Sequence, residues 1–147
     1  MRILSLLFLL CVGLLSSGQR IGPCPPSPPR SAVDVKELKG VVVDENLAVI
    51  PKVTIKLQVS DGDGIRDIAT TETDAVGQFR FGAQPFGKYY LAFKAPNFCP
   101  ATIPIRYSRT GLKGVRLTLP VAASDSCPQD CDTKVKVEEM TGREGHL

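Results

Sequence analysis

Histidine is almost missing from this chain. The one copy among 147 residues, His146, stands next to last, in a polar terminus running from Thr141 to Leu147 with no apolar period. A general base needs a rigid surround, and such a terminus supplies none. That excludes Ser–His–Asp and Cys–His catalysis and any multi-histidine metal site, so the sequence reads as non-enzymatic, with no cofactor and no metal. Tryptophan is absent and aromatics make up 6% of the chain, which keeps any sugar-stacking platform small. An excess of one charge is missing too. The 18 basic residues face 15 acidic ones, too even for a nucleic-acid footprint, which needs clustered positive charge. No apolar run reaches the roughly 20 residues of a bilayer span, so no transmembrane span is expected in the mature chain.

The longest apolar run, residues 3–15, follows Arg2 and is interrupted by Ser5. A short basic start, an apolar run and the small residues Ser16 and Gly18 make residues 1–18 a signal peptide in form. The chain is therefore expected to be secreted, or periplasmic and in the cell envelope. Cys11 goes with that segment, and Leu10 before it makes it a poor lipid-attachment site. Four cysteines remain: Cys24, Cys99, Cys127 and Cys131. An even number in an oxidising compartment reads as two disulfides. The three-residue gap between Cys127 and Cys131 is not the two-residue gap of a redox or zinc motif.

Residues 19–35 form a proline-rich linker, with five prolines in residues 23–29. Proline cannot donate to a backbone ladder and favours an extended conformation, hence a stiff spacer. Residues 36–120 change character. Short β-branched and aromatic runs alternate with Gly, Asp, Asn and Pro turns. From Lys52 to Ser60 the period is two: Val53, Ile55, Leu57 and Val59 on one face, Thr54, Lys56, Gln58 and Ser60 on the other. Gly87 to Ala95 repeats it, with Tyr89, Leu91 and Phe93 inward and Lys88, Tyr90, Ala92 and Lys94 outward. Phe79 with Phe81, Ile103 with Ile105, and Val115 with Leu117 and Leu119 continue the pattern. Pro104 marks its strand as an edge or a bulged one.

Seven strands follow, at about 38–44, 52–60, 66–74, 78–82, 87–95, 101–107 and 114–120. Their spacing of about ten residues is that of an all-β, seven-stranded antiparallel β-sandwich. Residues 121–147 read as a cysteine-containing polar tail. That tail beyond residue 132 and the linker are expected to be flexible, leaving a proteolytic core near 36–131.

If each short connection reverses the chain, Cys99 lies at the end where the seventh strand exits toward Cys127 and Cys131. Cys99 is then expected to pair with one of these two, and Cys24 reaches the other along its extended linker. The competing arrangement pairs Cys127 with Cys131 across a very short loop, which stabilises least in the chain-entropy model.

The stretch from Gly40 to Phe98 resembles the carboxypeptidase regulatory-like domain, a transthyretin-like sandwich grouped with carbohydrate-binding-like folds. The residues that carry the resemblance are Gly40 to Asp44 with Pro51, then Thr73-Asp74-Ala75-Val76-Gly77-Gln78-Phe79-Arg80-Phe81. Pro85-Phe86-Gly87-Lys88-Tyr89-Tyr90-Leu91 and Asn97-Phe98 complete it. The resemblance implies a transthyretin-like Greek key and an accessory role that braces or presents other parts, with sugar binding in some related sandwiches. Asn97 stands where the family pattern commonly has glycine, and asparagine also tolerates the left-handed region. Two chemistries of similar sandwiches are rejected. An isopeptide bond needs an Asn that the last strand lacks, and hydroxyisourate hydrolysis needs histidines that the sandwich lacks.

Three candidate sites remain. Asp61, Asp63, Asp67 and Glu72 fall at calcium-loop spacing, but Ile65 and Arg66 occupy a ligand place and the glycine place. The Asp-Gly pairs read instead as a hairpin turn. Arg106, Arg109, Lys113 and Arg116 around loop 108–113 read as a solvated surface, as a dock for an acidic polymer or anionic lipid, or as charges neutralised by the loop at 61–67. For sugar stacking, Tyr90 and Phe86 are the possible ligand contacts. The partner is expected to be a protein or a glycan of unknown identity. The leading function is an interaction, accessory or structural module, and the alternative is a carbohydrate or small-ligand binding module.

Overall fold

The computed structural model describes residues 30–122, 131 and 134–140. The signal segment, most of the linker, Cys24, Cys127 and His146 lie outside them. In chain order the strands are β1 Val33–Val35, β2 Lys39–Val43, β3 Thr54–Asp61, β4 Gly64–Glu72, β5 Gln78–Arg80, β6 Gly87–Lys94, β7 Ala101–Tyr107, β8 Val115–Thr118 and β9 Lys136–Glu139. They form two sheets, β1-β7-β6-β3-β4 and β5-β2-β8-β9.

The apolar positions of the alternating runs face each other between the sheets. Ile55, Leu57, Leu91, Ile103 and Ile105 from the first sheet meet Val42, Phe79, Val115 and Leu117 from the second, none more than 4% exposed. Lys56, Lys88 and Lys94 are exposed, so the register is the one the alternation implies. A one-residue slip would have exchanged the faces. Each buried aliphatic or aromatic side chain contributes about 1.5–3 kcal/mol relative to exposure.

Seven strands and a wholly antiparallel layout are corrected to nine strands among the described residues, with two parallel pairs. β1 lies beside β7 in the same direction, and β2 beside β8. The first and last strands of the seven-strand count leave in one direction, so making them neighbours makes the pair parallel. β1 falls inside the stretch read as linker, and β9 inside the tail read as flexible. What recruits β9 is Val135, 2% exposed in the core, next to the point where Cys131 is tied to Cys99. From that anchor the chain returns along β8, with Val137 opposite Leu117.

Gly77 sits at φ 72° in the β4–β5 turn, and a Cβ there would lie 2.8 Å from the carbonyl oxygen of Val42. Both the left-handed backbone and the lack of room require glycine. The Asp74 carboxylate caps the turn, accepting from the amides of Val76 at 3.0 Å and Gln78 at 2.8 Å. Asn97 adopts φ 65°, the left-handed conformation that its place in the pattern demands.

Candidate functional site

One end of the sandwich gathers the β3–β4 hairpin, the β5–β6 loop 81–86 and the β7–β8 loop 108–114. The hairpin is tight: Asp61 pairs directly with Gly64. Two of its acids, Asp67 and Asp61, are engaged by neighbouring side chains. Asp67 accepts from Lys56 Nζ and Gln58 Nε2, both at 2.7 Å, and Asp61 accepts from Arg66 Nε at 3.3 Å. The Lys56 hydrogen bond, then that of Gln58, holds the Asp67 carboxyl below the usual carboxylate range. Among the described residues no three potential ligands converge on a point.

The basic set is dispersed by pairing with strands that the sequence did not reveal. Arg106 donates through Nε and Nη2 to the two carboxylate oxygens of Asp34 on β1, the latter at 2.6 Å. This fork keeps Asp34 below, and Arg106 above, their ordinary ranges. Arg116 lies 3.7 Å from Glu138 of β9. Neutralisation thus comes from β1 and β9, and the hairpin acids pair within their own ladder.

Of the two aromatic candidates, the structure separates Tyr90 from Phe86. Tyr90 stands opposite Gln58 on β3 and Pro104 on β7 and is half-buried, where period two alone puts it outward and exposed. Beside Pro104, β7 is bordered on one side by β6 alone, because β1 pairs only with Ile105, Arg106 and Tyr107. Phe86 is 57% exposed. Its ring leans on Tyr107, with centroids 5.2 Å apart and planes at 43°. The Arg109 guanidinium lies 5.6 Å from the Phe86 centroid, a cation–π distance. Phe86 is held from behind as well. The buried Tyr89 donates its hydroxyl to the carbonyl of Pro85 at 2.7 Å, and Gly87 pairs with Tyr107. The chain on both sides of Phe86 is thereby fixed.

The smaller of two hollows adjoins this cluster at Tyr107. The smaller, about 170 Å³, is lined by Glu37, Lys39, Arg80, Phe81 and Tyr107, among others. The larger, about 450 Å³, shares Lys39 and Arg80 and extends to Glu72, Asp74 and Met140. Lys39 Nζ is 2.6 Å from Glu37. That hydrogen bond, and then the charges of Lys39, Arg80 and Lys36, keep the Glu37 carboxyl below its usual range.

The sequence profile of the carboxypeptidase regulatory-like domain matches residues 37–122, more than half of the chain. The chain belongs to the carboxypeptidase regulatory-like domain family. No curated protein matches it by sequence. Solved structures similar to this regulatory-like domain include transthyretin from Sparus aurata, at 18% identity and TM-score 0.48 over 70% of this chain and 95% of that one. Another is the 5-hydroxyisourate hydrolase of Klebsiella pneumoniae, at 14% identity and TM-score 0.49 over 72% of this chain and 99% of that one. Both likenesses are loose, and the family assignment rests on the sequence match.

The family motif now has a physical content in this regulatory-like domain. Thr73, 3% exposed, donates its hydroxyl to the carbonyl of Ile50 and accepts from the amide of Val53, both at 2.8 Å. Sequence reasoning assigned Thr73 no role. At the opposite end of the sandwich from Phe86, Cys99 is disulfide-bonded to Cys131 with Cα atoms 5.4 Å apart. Cys131 is one of the two partners that the strand directions offered.

Proposed function

We propose that this regulatory-like domain is an exported, non-enzymatic interaction module whose contact surface is the loop end carrying Phe86, Tyr107 and Arg109. The observation behind this reading is Phe86 itself: a large ring presented to solvent yet braced by a second ring, a guanidinium and a fixed backbone. Burying an exposed aromatic on binding releases apolar surface from water, and a ring already held in place loses little entropy on docking. The Cys99–Cys131 disulfide supports an oxidising compartment outside the cytosol. The test is capture from the envelope or culture medium of the producing cells. Immobilised mature chain is expected to retain a defined partner that Phe86→Ala/Arg109→Ala does not. Equal capture by both would contradict the reading.

A second reading is carbohydrate binding, favoured by the same exposed ring leaning on Tyr107, which lines the smaller hollow. On a glycan array it predicts binding that Phe86→Ala abolishes and that Tyr90→Ala leaves intact, because Tyr90 is packed between its cross-strand neighbours. Loss on Tyr90→Ala with Phe86→Ala silent would move the contact to the sheet face.

A further inference from the structure

Arg80 is one of several cations without an ion pair among the described residues, and among these it is the one that lines both hollows. It is exposed at the end of β5, and among the described residues it has no salt-bridge partner. The nearest acid it influences is Glu37, which Lys39 has already closed at 2.6 Å. By contrast, Arg106 is held by Asp34, Lys56 by Asp67 and Arg66 by Asp61. Arg80 and Tyr107 both line the smaller hollow. Tyr107 in turn carries Phe86, and Phe86 carries Arg109. A guanidinium, a shallow hollow of mixed polarity, an exposed ring and a second guanidinium are therefore linked through Tyr107 at this end of the sandwich.

We infer that this track binds an acidic oligosaccharide, with a uronate carboxylate on Arg80 and an adjoining sugar ring against Phe86. The inference rests on the carbohydrate reading and names its ligand class. Three features select the chemistry. A guanidinium meets a planar carboxylate with a two-pronged hydrogen bond, and Arg80 has its donors available for one. The exposed ring suits the apolar face of a sugar and not a bare anion. The hollow of about 170 Å³ is below the roughly 300–1,000 Å³ of sites that enclose a whole drug-sized ligand. It takes one unit of a longer chain lying along the surface. The larger hollow is not the anion's place, because Glu72 and Asp74 line it without an ion pair among the described residues, whereas Glu37 in the smaller one is paired with Lys39.

The test is calorimetric titration of the mature, oxidised chain with oligogalacturonate, with its methyl-esterified counterpart and with polyglutamate of similar length. Oligogalacturonate is expected to bind, with the methyl ester about tenfold weaker for want of one charged hydrogen bond. Arg80→Gln should weaken the acidic oligomer to the level of the ester and leave the ester unchanged. Phe86→Ala should weaken both. Raising salt should weaken the acidic oligomer alone. Equal binding of acid and ester, with Arg80→Gln silent, overturns the inference and leaves the sugar reading standing. Polyglutamate binding as tightly as oligogalacturonate overturns it in favour of plain charge attraction. Failure of oligogalacturonate to bind also overturns it, and the sugar reading falls with it only if the glycan array is blank as well.

Discussion

Leu47 holds a left-handed backbone at φ 65° while 63% of its surface is exposed. A branched side chain in that region costs roughly 1–2 kcal/mol, and at this exposure little burial offsets it. The turn is fixed by Asp44, whose carboxylate accepts from the amides of Asn46 and Ala48, both at 2.8 Å. Leu47→Gly is therefore expected to raise unfolding stability by about 0.5–1 kcal/mol in chemical denaturation; a loss of that size would mean that the leucine side chain packs on something. Thr73 gives the opposite expectation. Thr73→Val keeps the shape but strips both hydrogen bonds from a buried site, leaving the Val53 amide and the Ile50 carbonyl unpaired. The same measurement should show a loss of about 1–3 kcal/mol. These two positions show what a residue pattern can carry. Gly77 and Asn97 were legible because only a few residue types tolerate φ > 0. Thr73 was not, because its bonds reach 20 and 23 positions back along the chain, and nothing local signals them.

At the scale of elements, the alternating strands β3, β6, β7 and β8 were legible because each buries one face and wets the other. β1 and β9 were not. Three residues, Val33-Asp34-Val35, carry no period that a window can detect, and Lys136–Glu139 holds one apolar residue in four. Both are strands because a neighbour supplies the hydrogen bonds, an instance of tertiary context overriding local preference. The candidate site was half legible for the same reason. Phe86 stands out in the sequence as an aromatic in a loop. Tyr107 and Arg109 join it only through contacts from the end of β7 and the β7–β8 connection, and Arg80 only through the hollow it lines with Tyr107. β1 has a testable weak point in its ion pair. Asp34 has its pKa lowered by the Arg106 hydrogen bond, so its stabilising contribution is present above the ordinary carboxylate range near 4 and is lost as pH falls through the lower folded value. Amide exchange at Ser108, whose N–H is bonded to the Val35 carbonyl at 2.8 Å, should be slow at neutral pH. Asp34→Asn should accelerate it there, and high salt should narrow the difference. Exchange unaffected by the substitution would mean that backbone pairing holds β1 without the ion pair.

Among the described residues the molecule is two sheets with a disulfide at one end and the proposed contact surface at the other. The Cys99–Cys131 link joins residues 32 apart in sequence, a loop for which chain entropy gives about 3–4 kcal/mol. Cys99→Ser/Cys131→Ser is expected to lower stability by up to that amount. Because the link lies at the far end from Phe86, the double variant should leave partner capture unchanged wherever the protein remains folded. Capture lost in a variant whose circular dichroism is native would tie the tail to the contact surface. Site-specific photo-crosslinking reads out whether the proposed loop end around Phe86 is where this sandwich meets its partner. Benzoylphenylalanine placed at position 86, and separately at the exposed position 94 on the outer sheet face, is irradiated with the mature chain in its native medium. A discrete adduct is expected from position 86 and none from position 94. An adduct from position 94 with position 86 silent would contradict that placement.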